Sequence, residues 1–298
     1  MFKKASEDRR YSQYIVVPSV RNLYFIFAGA LFLLLTFMPT AMAANQIVLT
    51  KLDFTEKLPL VGPKKFYLAL GDSLAFSYQP NFDFDDGYAD EFFSNLKNHK
   101  VKTLANLGCY GESSSTFING GCPAPFLRKY AYVSTQLTAA LVYLHMHPGQ
   151  VSPVTLDIGA NDVLPDINTM TCTVNSNFQL DLQTLDSNLT QTILPQLHTA
   201  LMMKGQMTGD LVMMNYYDPF QNICPNTVPY VQLLNRHLAN DVRRYGVIVN
   251  VFDAFGGSKT PNNLIDTYTW MCSIFNNYHP TNEGYSVIAT TLENGIGY

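Results

Sequence analysis

Phe66-Tyr67-Leu68-Ala69-Leu70-Gly71-Asp72-Ser73-Leu74 is the stretch that decides how the rest of the chain folds. A short apolar run closed by glycine reads as a buried strand, because a strand covered on both faces needs no polar alternation. The Asp-Ser pair that follows sits where such a strand turns sharply into a helix. A serine there is presented at the sheet edge, next to backbone N–H groups that stabilise negative charge. Read alone, Asp72 and Ser73 serve equally well as ordinary helix caps.

Outward from this stretch the same grammar recurs. Residues 103–107 form an apolar run ended by Gly108, and residues 154–158 one ended by Gly159. Residues 211–215 and 247–251 supply two more. Between these runs, helical spacing covers 85–99, 135–147, 178–203, 228–245 and 281–294. Pro195 predicts a kink or break in the third of these helices. Strands alternating with helices predict an α/β fold with a parallel sheet covered on both faces. Such sheets bind ligands beyond the carboxyl ends of their strands, so chemistry-bearing residues are expected just after the runs.

Three further loops meet that expectation. Asn106 to Ser113 contains Gly111, whose bare backbone can approach a substrate oxygen, although a plain turn glycine reads the same way. Gly159-Ala160-Asn161-Asp162 places the Asn161 amide at a strand end, as an oxyanion donor or a helix cap. Asn276-Asn277-Tyr278-His279-Pro280 holds His279. The other five histidines lie in or at the ends of helical stretches, where packing or surface roles suit them. A free imidazole has a pKa near 6.5, suited to general-base work at neutral pH, and serine needs such a base to become a nucleophile.

In this order the four blocks resemble the SGNH, or GDSL-type, hydrolase superfamily of esterases and lipases. The blocks are Gly71-Asp72-Ser73-Leu74, Asn106 to Gly111, Gly159-Ala160-Asn161-Asp162 and His279-Pro280, and the resemblance covers residues 64–294. It implies a three-layer sandwich around a flavodoxin-like five-stranded parallel sheet. It also implies Ser73 as nucleophile and His279 as base. The oxyanion hole would comprise Ser73 N–H, Gly111 N–H and the Asn161 side chain. The G-x-S-x-G elbow of α/β-hydrolases fits less well: the final glycine is Ala75, and the serine comes too early in the chain.

One position departs from the family pattern. An aspartate usually stands three residues before the histidine, where a carboxylate orients the imidazole and stabilises the imidazolium. Here that residue is Asn276. A Ser–His dyad is expected, with Asn276 or a nearby main-chain carbonyl accepting the Nδ1–H. A weakly active, degenerate enzyme and a non-catalytic binding module on the same fold are the competing readings.

The surroundings of this domain set its context. Lys3, Lys4, Arg9, Arg10 and Arg21 precede an apolar run from Leu23 to Met38 and an Ala41-Met42-Ala43 end. This is the pattern of a secretory signal peptide over residues 1–43, with an uncleaved N-terminal anchor as the alternative. Residues 44–63 then form a lead-in, and 64–298 the hydrolase domain of a secreted, or outward-facing anchored, protein. Five cysteines suit an oxidising compartment. A local Cys109–Cys122 bridge is expected, with Cys172–Cys224 second and Cys272 free. No C-x-x-C pair suggests a metal, and no cofactor is needed.

The net charge of −4 and the scattered cations speak against nucleic acid. The expected partner is a small-molecule or lipid ester, the expected state a monomer, and membrane contact is expected only through a retained N-terminal segment. Phe76, Tyr78, Phe82, Phe84, Tyr110, Tyr268 and Trp270 are candidates to line an acyl pocket, or else ordinary core. A carboxylesterase or lipase is the first reading, and a polysaccharide acetylesterase, whose aromatics would stack on sugar rings, is the second.

Overall fold

In a computed structural model, residues 59–298 are described. The expected signal peptide or anchor lies outside them, as does the lead-in up to residue 58. Five parallel strands build the sheet: β1 (Phe66–Gly71), β2 (Thr103–Asn106), β3 (Val151–Asp157), β4 (Leu211–Met214) and β5 (Val247–Val249), in the spatial order β2-β1-β3-β4-β5. The order reverses at β1, the strand that carries the Asp-Ser turn. That reversal is where open α/β sheets form their binding crevice.

The strands are as apolar as burial on both faces requires: every residue of β3 and β4 is buried. Pro153 lies inside β3, earlier than the apolar run suggests. A proline cannot donate to a ladder, and the register between β1 and β3 shifts there, between Phe66 and Leu68.

Helices α1 (Ser73–Phe76), α2 (Tyr88–Leu96), α3 (Ser114–Asn119), α4 (Gln136–Met146), α5 (Ala160–Val163), α6 (Phe178–Asn188), α7 (Leu194–Ala200), α8 (Val228–Val242), α9 (Val251–Ala254), α10 (Asn263–Tyr268) and α11 (Asn282–Ile296) complete the chain. One layer is built on α2 packed against α11, with α10 alongside; the other joins α3, α4, α6, α7 and α8. The result is the α/β/α sandwich expected. The long helix expected over 178–203 is two helices joined by a π-turn, Leu189–Ile193. Pro195 follows closely on this stretch, whose wider i→i+5 bonding accommodates a residue with no N–H to give.

Two disulfides join Cys109 to Cys122 and Cys172 to Cys224, and Cys272 is free and exposed, the pairing the sequence suggested. Among the described residues no helix is long and apolar enough to cross a membrane.

Candidate active site

The site begins with a backbone problem at Gly71. Its φ is +137°, and a Cβ there would fall 2.2 Å from the main-chain oxygen of Asp157. Only glycine lets β1 turn this tightly against β3. Asp72 then caps α1, accepting from Leu74 N–H at 2.9 Å, while its other oxygen accepts from the Tyr216 hydroxyl at 3.0 Å. Asp157, at the end of β3, accepts from Asp72 N–H and Ala75 N–H at 3.2 and 3.1 Å and from the Tyr88 hydroxyl. The turn is therefore held from below by two buried carboxylates. Burial raises both pKa values, that of Asp72 to about 6.

This turn presents Ser73, which is 6% exposed. Its Oγ lies 2.8 Å from Nε2 of His279, a residue 206 positions away in sequence. The histidine loop is sewn to the segment after α10. His279 C=O accepts from Trp270 N–H at 3.0 Å, Asn277 N–H donates to Trp270 C=O at 3.1 Å, and Thr281 N–H donates to Tyr268 C=O at 2.9 Å. The Tyr217 hydroxyl donates to Tyr278 C=O at 2.8 Å. Tyr78 and Tyr278 pack their rings 4.5 Å from the imidazole, and Tyr110 lies 5.9 Å away.

The contact expected of Asn276 is made by its neighbour. Asn277 Oδ1 accepts both His279 N–H at 3.0 Å and the imidazole Nδ1–H at 2.7 Å. The first of these closes an Asx-turn, the two-residue loop that asparagine favours. Asn276 is exposed, has a φ of +42°, and donates its N–H to Ser273. Two donors converge on one atom of Asn277, which identifies that atom as the amide oxygen. The proton is then on Nδ1, and Nε2 offers Ser73 a lone pair.

The imidazole is 1% exposed, and burial pushes its pKa down from 6.5 to about 3. The ring thus stays neutral well below the range expected from the sequence, since no carboxylate contacts it to favour the charged form.

Two other loops arrive beside Ser73. The β2 loop bonds along the Asp-Ser turn, with Cys109 N–H on Gly71 C=O at 3.1 Å. Its Gly111 has a φ of +77°, and a Cβ there would come within 3.0 Å of Pro123, which the Cys109–Cys122 disulfide holds nearby. Asn161 in α5 donates one Nδ2 hydrogen to Glu112 C=O at 2.9 Å, and its second hydrogen remains for another acceptor. Gln136, buried on α4, ties these parts together. It accepts from Gly71 N–H at 2.6 Å and donates to Gly71 C=O and to the Glu112 carboxyl, each at 2.9 Å. Burial raises the Glu112 pKa.

An apolar cleft, partly open to solvent, has Ser73, Asn161 and His279 in its wall. None of Phe76, Tyr78, Phe82, Phe84, Tyr110, Tyr268 and Trp270 lines it. Phe76 is core, and Phe82, Phe84, Tyr78 and Tyr110 instead form a chain of ring contacts ending on His279. Asn277, Gln136, Asp157 and Tyr216 were not singled out by sequence reading. Only Asn277 carried a local signal, an asparagine two residues before a histidine.

Among the described residues, Cys109, Glu112 and Cys122 form the one grouping with metal-ligand geometry. Its two sulfurs are joined in a disulfide and offer no thiolate.

Sheet order and the three layers match the topology of the SGNH, or GDSL-type, fold. The chain superposes on a point mutant of Axe2, an acetyl-xylooligosaccharide esterase from Geobacillus, with a TM-score of 0.53 at 14% identity, covering 80% of this chain and 97% of that one. It superposes on the lipase Lip_vut3 from a goat rumen metagenome with a TM-score of 0.54 at 18% identity, covering 78% and 97%. At such identities the likeness is one of fold. No protein-family model matches the sequence, and no curated protein matches it.

Proposed function

We propose that the protein is an exported serine ester hydrolase of carboxylesterase or lipase type, with Ser73 as nucleophile and His279 as general base. The observation that carries this reading is the 2.8 Å contact between Ser73 Oγ and a buried Nε2, whose lone pair is kept available by Asn277 on the ring's other side. Geometry of this kind is what an activated hydroxyl requires.

In the reaction, Ser73 Oγ attacks the ester carbonyl carbon as its proton passes to Nε2. The tetrahedral oxyanion is held by Ser73 N–H, Gly111 N–H and the free Asn161 amide hydrogen, a donor of this kind being worth about 2.7–4 kcal/mol in the barrier. The imidazolium returns the proton to the leaving alcohol, and burial, which favours the neutral ring, assists that return. Water, deprotonated by His279, then attacks the acyl-enzyme and releases the acid. With an amide in place of a carboxylate, Asn277 orients the ring and offers the imidazolium only a dipole. Two disulfides support export to an oxidising compartment.

Polysaccharide deacetylation is the second reading. The ring contacts running from exposed Phe82 through Phe84 and Tyr78 to His279 favour it, because they offer a stacking face on the alcohol side. The test of both is a fluorophosphonate label followed by peptide mapping, with turnover of an aryl ester. Labelling at Ser73 and loss of turnover in Ser73→Ala are expected; an unlabelled protein, or a Ser73→Ala variant at wild-type rate, refutes the assignment.

A further inference from the structure

The cleft beside Ser73 has a composition that the hydrolytic steps do not explain. Its polar side chains are Asp72, Ser73, Asn161, His279 and four tyrosines, of which Tyr216 and Tyr217 spend their hydroxyls elsewhere. Those two hydroxyls are bonded to Asp72 and to Tyr278 C=O, so the rings contribute apolar surface. Beyond them the wall is Leu164 at the end of α5, Phe178 at the start of α6, Tyr230, Val231 and Leu234 along the first turns of α8, and Phe220 after β4. Phe178 and Tyr230 meet edge to face, 5.1 Å apart. These side chains come from four separate segments and converge on one space that opens at the nucleophile.

We infer that this cleft is an acyl-binding pocket selecting esters of unbranched acyl chains several methylenes longer than acetyl. The inference rests on the hydrolase reading above and extends it to the substrate class. An acyl carbonyl seated between Ser73, Asn161 and His279 has its chain directed along the wall that those three residues share with Leu164, Phe178 and Leu234. That wall is overwhelmingly carbon and gives little to a sugar or a charged group, whereas it removes methylenes from water. An acetyl group brings one methyl and leaves most of this apolar wall uncovered. Each additional buried methylene is worth about fourfold in kcat/KM, from the usual transfer energy of apolar groups. The aromatic chain at Tyr78 lies outside this cleft.

The experiment is a series of p-nitrophenyl esters from acetate to decanoate, with the full chain. A rise in kcat/KM of at least about tenfold from acetate to hexanoate is expected from two or more buried methylenes. Leu164→Trp and Val231→Trp, which fill the cleft, should lower the hexanoate-to-acetate ratio about tenfold. Octanoate should raise the melting temperature of the wild-type protein where acetate at equal concentration does not, a readout that needs neither activity nor the variants. A flat or falling ester series with active enzyme overturns the pocket and leaves the hydrolase intact. Absence of turnover and of Ser73 labelling overturns the hydrolase, and octanoate binding then decides the pocket by itself.

Discussion

Asn277 Oδ1 receives two hydrogens from His279, the main-chain N–H at 3.0 Å and the imidazole Nδ1–H at 2.7 Å. One side-chain atom therefore sets both the backbone turn that delivers the histidine and the tautomer that turns an Nε2 lone pair toward Ser73. The position three residues before the histidine, where the family pattern has a carboxylate, is exposed and turned away. Asn277→Ala should lower kcat by roughly tenfold to a hundredfold, part of the 10²–10⁴ that a positioned base contributes, with KM little changed. Asn277→Asp should retain or raise kcat and move the acid limb of the pH profile upward by about 1–3 units, as an opposite charge beside the ring dictates. An unaltered kcat in Asn277→Ala, by steady-state kinetics, would remove the residue from the mechanism.

The pH dependence follows from burial. The imidazole pKa lies at about 3, and the proposed base is the neutral ring, so titration of His279 should leave kcat/KM unchanged between pH 7 and 5 and lower it only toward the lower value. Asp72 titrates nearer 6, held against Asp157 and Tyr216, and an inflection from that pair should vanish in Asp72→Asn. A limb centred between pH 6 and 7 that survives Asp72→Asn would falsify the depressed histidine.

Gln136 bonds to both main-chain groups of Gly71 and to the Glu112 carboxyl, joining the nucleophile turn to the loop of Gly111. Gln136→Leu takes this partner from Gly71 N–H and the Glu112 carboxyl, while Gly71 C=O keeps Cys109 N–H, and should cost about 2 kcal/mol of stability. Because the proposed oxyanion donors act in the transition state, kcat should also fall about tenfold, part of what one such donor supplies. Thermal unfolding and kinetics on the same variant check this: stability lost at unchanged kcat would make the network purely structural.

Much of the architecture was legible along the chain because strand burial and helix periodicity are local patterns. The apolar runs ending at Gly71 and Gly159 marked β1 and β3, and Thr135 and Thr281 stand as caps where periodicity starts helices. Local reading failed where a distant partner made the choice. Pro195 marked an irregularity in the helix over 178–203, but not its form, a π-helical stretch over Leu189–Ile193 inside a continuous helical run. The candidate aromatics were found by residue type, but the cleft is lined by Tyr216, Tyr217, Phe178 and Tyr230 instead, since which ring faces the crevice depends on how α6 and α8 pack.

The residue types and their order along the chain, read without coordinates, were enough to specify a parallel α/β sheet and to single out Ser73 and His279, because strand ends and turn residues carry their own signature. Only the packed structure decided that these two side chains lie 2.8 Å apart, that Asn277 rather than Asn276 meets the imidazole, and that the ring is dry enough to lose its usual pKa. Each of those depends on distances and on exclusion of water between segments far apart in sequence, which no local pattern encodes.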